Sequence, residues 1–238
     1  VLDGPAPEGL FNEPWGVAVG PDGLVYVTDT WNHRVQVFNP DGRFVRMWSE
    51  FLADGVLDSF WGPRGIAVDA QNRVYVTDTG KQRVVIFDSQ GNYLTQFGSR
   101  GMVVGQLDEP VGIAVDSAGK VYIADTWNNR VQVFSPNENG TVFTSVLTWD
   151  VDAWTTDSLD NKPFLALGAD NEVFITDPDF GRVIRFDNQG AFLQLWGGYQ
   201  NNFLMGVVSG IAVAQDGNVW VSDALNNTLL QFAPPAVP

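Results

Sequence analysis

One aspartate recurs five times along the 238 residues, at Asp29, Asp78, Asp125, Asp177 and Asp223, with intervals of 49, 47, 52 and 46 residues. Each closes a short β-branched run, as in Val25-Tyr26-Val27-Thr28-Asp29 and Val74-Tyr75-Val76-Thr77-Asp78. A period of about 40–50 residues marks a tandem array, in which each unit covers its apolar faces only by stacking on its neighbours. Within a unit, the runs Ile66–Val68, Val74–Thr77, Val84–Phe87 and Tyr93–Phe97 read as strands. Turn signals such as Pro21-Asp22-Gly23, Asp41-Gly42 and Gln189-Gly190 separate such runs. Four antiparallel strands per unit, repeated radially, make an all-β chain whose units are the blades of a β-propeller. Five blades are expected, at about 11–50, 60–98, 107–150, 161–198 and 207–233, forming one domain over 1–233. The proline-rich end, 234–238, reads as the start of a linker.

The full pattern, G-[IV]-A-V-D…V-[YF]-[VI]-[TA]-D-x-x-x-x-R-[VI]-x-x-F, resembles the NHL repeat, and the resemblance covers about residues 11–233. Two copies depart from it. Leu165 stands where the others have Gly16, Gly65, Gly112 and Gly210, and Thr228 stands where the others have arginine. The fifth copy stops after its third strand, and residues 1–10, with Pro5 and Pro7, make a poor strand. The ring is therefore read as five blades with a three-stranded last one, or as part of a six-bladed ring. A wide gap would expose apolar blade flanks, which argues against an absent blade.

Composition narrows the function classes. Thirteen Lys and Arg against 28 Asp and Glu give a formal net charge of −15, the opposite of the basic footprint that nucleic acid requires. The chain has no cysteine, so disulfides, thiolate metal sites and a cysteine nucleophile are excluded. No apolar run approaches the ~20 residues of a membrane span, so no direct membrane insertion is expected.

In a meandering blade the tight turns lie on one face. The loops between second and third strands, and all blade-to-blade connections, lie on the other. Long, varied loops on a rigid scaffold are where binding usually resides. Five equivalent carboxylates invite a metal or substrate ring, but Arg34, Arg83, Arg130 and Arg182 each follow an aspartate by five residues. An Asp–Arg pair across a tight loop reads as architecture. The first strands, Val17-Ala18-Val19 and its four counterparts, carry none of the oxygen ligands a divalent cation needs, so no metal or other cofactor is expected on the axis. His33 is the single histidine. It cannot by itself build a zinc site, and no G-x-S-x-G motif accompanies it, so no catalytic residue is assigned.

Within three residues after the aspartates come Trp31, Gly80, Trp127, Phe180 and Leu225, four of them large and apolar. Trp31 and Trp127 are expected to wall a groove on the loop face, with the space beside Gly80 open between them. Phe180, Leu225 and His33 complete the candidate ligand-binding set. The competing reading packs such rings between blades, together with Trp48, Trp61, Trp149, Trp154 and Trp196. The connections are acidic, at Asp54, Asp58, Asp108, Glu109, Asp150, Asp152, Asp157 and Asp160, and suit a solvated rim or a basic partner.

The sequence thus reads as a non-catalytic scaffold binding a protein, peptide or glycan on the loop face. The alternative is a propeller hydrolase or lyase acting on a small molecule at the tunnel mouth. NHL-type resemblance and the Trp-rich, Lys-poor composition imply an extracytoplasmic or secreted domain of a longer, bacterial-type polypeptide.

Overall fold

The computed structural model describes residues 6–154, 162–199 and 203–233. Asp157, Asp160 and the proline-rich 234–238 lie outside the described residues.

The chain builds five antiparallel blades in sequence order. Blade 1 comprises Pro14–Val19, Val25–Asp29, Arg34–Phe38 and Phe44–Trp48; blade 2 comprises Pro63–Val68, Val74–Asp78, Arg83–Phe87 and Tyr93–Phe97. Blade 3 comprises Pro110–Val115, Val121–Asp125, Arg130–Pro136 and Phe143–Asp150; blade 4 comprises Leu165–Leu167, Val173–Asp177, Arg182–Phe186 and Phe192–Trp196. Blade 5 has three strands among the described residues, Val208–Val213, Val219–Asp223 and Thr228–Phe232. Every blade is a simple meander, so strand order in space follows strand order in sequence.

The period-2 alternation of each strand sends successive side chains to opposite flanks. Tyr26, Val35 and Val37 of blade 1 pack on Ile66, Val74, Val76 and Val85 of blade 2. Tyr75, Val84 and Ile86 of blade 2 pack on Ile113, Val121 and Ile123 of blade 3. Blades 3 and 4, and blades 4 and 5, join in the same way through two further clusters. The core is therefore a series of seams between blades, not one central mass.

A glycine near the start of the first strand makes the seams tight. A Cβ on Gly16 would collide with the carbonyl oxygen of Arg64 in blade 2, and one on Gly65 with that of Val111 in blade 3. Across the same seams, the Thr28 hydroxyl donates to the Arg64 carbonyl at 2.5 Å and Thr77 donates to Val111 at 2.8 Å. Thr176 donates across the blade 4–5 seam to Ser209 at 3.0 Å. Tight packing on the outer strands comes from rings: Trp48 meets Phe87, Trp149 meets Phe186 and Trp196 meets Phe232, each on the following blade. For these tryptophans, and for the buried Trp154, whose Nε1 donates to the Thr176 carbonyl, packing between blades is the role the structure shows.

The seams stop at the ends of the array. Val17 and Val19 of blade 1 are 67 % and 65 % exposed, and Leu229 of blade 5 is 65 % exposed. The apolar flanks that a missing neighbour would uncover are thus present on both terminal blades. Gly210 has only Ser222 of its own blade near the space a Cβ would fill. Gly65→Ala should therefore lower stability by about 1–3 kcal/mol, the cost of overpacking against fixed backbone. Gly210→Ala should cost much less. Denaturant melts of the two variants measure the difference, and equal losses would contradict the picture of an open end at blade 5.

Candidate functional site

The loop face is organised around the five aspartates. Each carboxylate in blades 1, 2, 3 and 5 accepts a backbone N–H from the connection leading into its own blade: Asn12 to Asp29, Trp61 to Asp78, Asp108 to Asp125 and Gly206 to Asp223. Asp29, Asp78, Asp125 and Asp177 also pair with Arg34, Arg83, Arg130 and Arg182 at 2.6–2.9 Å. The arginines reach further. Arg34 donates to the carbonyls of Ala6, Pro7 and Leu10, and Arg130 to those of Met102, Val103 and Gln106. In blades 1, 2 and 3 one buried ion pair per blade thus clips the incoming connection down; blade 4 keeps the pair, and in blade 5 Asp223 holds the connection without an arginine. Burial pushes the Asp78, Asp125 and Asp177 carboxyls up from the ordinary aspartate value, while the N–H and guanidinium donors pull them down.

A 3-10 turn follows the aspartate in blades 1, 2 and 3, at Thr30–Asn32, Thr79–Lys81 and Thr126–Asn128. The next residue is left-handed in all three, His33 at φ 53°, Gln82 at 57° and Asn129 at 52°. Its side chain is then aimed along the loop face at the following connection. His33 Nδ1 accepts the N–H of Gly62 at 3.0 Å, and Gln82 Oε1 accepts that of Glu109 at 2.6 Å. The sequence gives little sign of this tie, because the position holds His33, Gln82, Asn129, Gly181 and Asn227 in the five blades. His33 is accordingly half-buried, and a 4.7 Å stack on the Trp61 ring at 13° holds its imidazole.

Trp31 meets the edge of His33 at 6.4 Å, and its Nε1 donates to Glu13 at 2.9 Å. The space beside Gly80 is not open: the Trp61 ring fills it, and a Cβ there would overlap that ring. Trp31, His33 and Trp61 form one continuous aromatic strip from blade 1 to blade 2. Trp127 differs from its counterpart Trp31. It is half-buried, with the Lys162 ammonium 5.8 Å from its ring centre. The two-walled groove of Trp31 and Trp127 is thus replaced by a strip of Trp31 and Trp61. Trp31 is 44 % exposed, Trp61 58 %, Phe180 60 % and Leu225 68 %. The connections add exposed Leu52, Val56 and Leu57, then Met102, Val103 and Val104, then Phe203 and Leu204.

At the axis, Trp15 of blade 1 stacks on Phe164 of blade 4, with ring centres 6.5 Å apart. Beside them Glu109 binds Arg64 at 2.9 Å and Lys162 at 3.2 Å. Below this stack, a cavity of about 290 Å³ is lined by Val17, Ile66, Ile113, Leu165 and Ile211 from the first strands, and by Trp220, Ser222 and Leu229 from the later strands of blade 5. On the tight-turn face, Tyr75 donates to Asp69 at 3.0 Å and Arg73 pairs with the same carboxylate, so Asp69 serves its own turn. The axial Trp15–Phe164 stack escaped sequence reading, since the residue before the glycine differs in every blade.

The NHL repeat profile matches residues 11–38, 60–87 and 107–134, which hold the first three strands of blades 1, 2 and 3. The chain carries NHL repeats. Over 37 residues it is 60 % identical to the B-box type zinc finger protein ncl-1 of Caenorhabditis elegans and 54 % identical to Protein brain tumor of Drosophila melanogaster. Each match covers 16 % of this chain and spans 4 % of the relative's length. Among solved structures, a streptogramin B lyase matches with a TM-score of 0.60 at 16 % identity, over 99 % of this chain and 72 % of that one. A nidogen/laminin complex gives 0.62 at 17 % identity, over 92 % and 75 %. A Bacteroides thetaiotaomicron protein of unknown function gives 0.68 at 18 % identity, over 93 % and 57 %. At these identities the likeness is one of fold. The described residues form a five-bladed propeller arrangement, all β apart from short turns, with NHL repeats matched in blades 1, 2 and 3.

His33 supplies a pH test of the NHL loop geometry. Burial lowers its pKa below the ordinary histidine value of 6.5, so the folded protein holds the neutral ring, with Nδ1 free to accept from Gly62. The unfolded chain takes up the proton at higher pH than the folded one. Stability from this group is therefore complete above about pH 6.5 and falls on acidification. Melting temperatures between pH 7.5 and 5 should drop more steeply for the wild type than for His33→Gln, which substitutes the residue type found at position 82. Equal slopes would contradict the assignment.

Proposed function

We propose that this NHL propeller is a non-catalytic scaffold that holds an extended segment of a partner protein on its loop face. The strip of Trp31, His33 and Trp61 carries the reading. It combines rings that are anchored yet open to solvent. Glu13 fixes Trp31, and the stack on His33 fixes Trp61. Preordered aromatic rings lose little freedom on binding, which is why tryptophan dominates interface energetics. Phe180, Leu225 and the apolar connection residues extend the same face. Patches of clustered exposed apolar side chains mark interaction sites rather than ordinary surface. NHL propellers commonly bind proteins, which supports the class of partner. A net charge of −15 favours a segment with basic residues beside its apolar anchors.

One observation favours a second reading, a small-molecule site at the axis. Arg64, Glu109 and Lys162 converge near the tunnel mouth, where a propeller hydrolase or lyase would work. The same geometry weakens it, because the carboxylate already holds two cations and the cavity beneath is lined mainly by apolar side chains, Trp15, Phe164 and Trp220 among them.

A display library of extended peptides, with a glycan array in parallel, tests the proposal. Trp31→Ala and Trp61→Ala should each weaken the best peptide by at least about tenfold, or ~1.4 kcal/mol. Melting temperature should change much less than binding, because the two rings are 44 % and 58 % exposed and lie outside the seams between blades. Binding that survives both substitutions, or binding of glycans alone, would overturn the peptide reading.

A further inference from the structure

Cations in this chain are held against rings in one recurring way. Every cation–ring contact among the described residues also carries a carboxylate on the same cation, at 3.2 Å or less. Arg83 lies by the Phe51 ring and pairs with Asp58; Arg185 lies by Phe174 and pairs with Glu172. The two parts act together, because the ring face attracts the charge and the carboxylate takes its N–H donors.

Blades 1 and 3 present these two parts at equivalent positions. The Trp31 backbone N–H donates to the Asn12 carbonyl at 3.2 Å, and the Trp127 backbone N–H to that of Asp108 at 3.1 Å. Glu13 and Glu109 come next in the chain, both left-handed, at φ 50° and 47°. Each precedes a proline paired in register with its blade's aspartate, Pro14 with Asp29 and Pro110 with Asp125. In blade 3 the chain itself supplies the cation. Lys162, at the entry to blade 4, stands 5.8 Å from the Trp127 ring centre and 3.2 Å from Glu109. In blade 1 it supplies none. The entry to blade 2 reads Trp61-Gly62-Pro63, and apart from its chain neighbours nothing comes within 4 Å of where a Cβ on Gly62 would stand. All 13 Lys and Arg residues lie among the described residues, and their ion pairs and ring contacts use neither Glu13 nor Trp31. Glu13 is exposed and accepts the Trp31 indole N–H through Oε2, which leaves Oε1 for another donor. That bond fixes the carboxylate beside a ring that is 44 % exposed.

We propose that Trp31 and Glu13 form a binding site for a basic side chain, lysine or arginine, of the segment held on the loop face. The site deepens the peptide reading above and rests on it for the partner. Lys162 by Trp127 and Arg64 by Trp15, both paired with Glu109, show that either cation fits a tryptophan and a glutamate. Trp61, joined to Trp31 through His33, receives the neighbouring apolar part of the segment. The net charge of −15 adds a long-range attraction for the same residue.

Single capped residues read the site without any partner. N-acetyl-lysinamide, N-acetyl-argininamide and the uncharged N-acetyl-norleucinamide are titrated at equal ionic strength. The indole N–H resonance of Trp31, identified by its loss in Trp31→Phe, is followed. Both cations should shift it saturably and bind at least about fivefold more tightly than norleucinamide, the combined strength of an exposed cation–ring contact and an ion pair. Glu13→Gln keeps an acceptor for the indole but removes the charge, and should erase the preference for the cations. Gly62→Lys brings an ammonium from the chain, as Lys162 does in blade 3, and should weaken both cations at least about fivefold. Its left-handed backbone, φ 64°, is one that Glu13 and Glu109 adopt at the same position. The proposal is overturned by no shift with either cation, by an equal response to norleucinamide, by a preference that survives Glu13→Gln, or by cation binding unchanged in Gly62→Lys. Either variant suffices if the other does not fold. A display library that yields no peptide would sink the scaffold reading and leave these titrations standing. Peptides that need Trp31 but bind equally well with every lysine and arginine replaced by norleucine would sink the basic-residue site alone.

Discussion

The approach of one blade's backbone to the next, across a glycine and under a threonine hydroxyl, sets the spacing of the seams between blades 1 and 2 and between blades 2 and 3. Gly16 and Gly65 let the facing carbonyl come close enough for Thr28 and Thr77 to bond it, and the aliphatic flanks then meet. A single blade is two apolar faces with a hydrogen-bonded edge, so its stability depends on its neighbours. Blades 2 and 3 have both flanks covered, and nearly all their inner strand residues are buried. Blades 1 and 5 have one covered flank each. Gly112 of blade 3 meets the backbone of Phe164 and Leu165 in blade 4 in the same way, whereas blade 4 has Leu165 in place of the glycine and joins blade 5 through the Thr176–Ser209 bond.

Function is separated from this scaffold by the Asp–Arg clip. Because the carboxylate takes the incoming N–H and the arginine takes the carbonyls, each connection is fixed at a few backbone points and free elsewhere. The backbone points need no particular side chain. Connections of different length and composition therefore sit on equivalent anchors, and their side chains are available for recognition. The aromatic strip is one product of this freedom. Trp61 belongs to a connection, is held by its N–H to Asp78, and lays its ring into the space that Gly80 leaves.

Most of the fold was legible in the sequence because its determinants are local and repeated. Alternation gave the strands, Pro-Asp-Gly and Asp-Gly gave the turns, and the recurring aspartate gave the blade count. The candidate site was legible only in part. Trp31, Phe180 and Leu225 do stand exposed on the loop face, and Trp48, Trp149 and Trp196 do pack between blades. The filling of Gly80 by Trp61, the sinking of Trp127 against Lys162 and the stack of Trp15 on Phe164 were not visible. Each joins residues from different loops or blades, and positions that vary between repeats leave no pattern to read. The open flanks were hidden for the opposite reason: Val17 and Leu229 look like core residues in any strand pattern, and only the arrangement of neighbours shows them bare.

Native-state hydrogen exchange, resolved strand by strand, tests most directly the claim that stability resides in seams arranged as an open array. Amides of the inner strands of blades 2 and 3 should exchange slowest, near the global unfolding limit, with protection falling toward blade 1 and furthest in blade 5. Uniform protection across all five blades, or blade 5 protected as strongly as blade 2, would contradict it and point to a ring closed on itself.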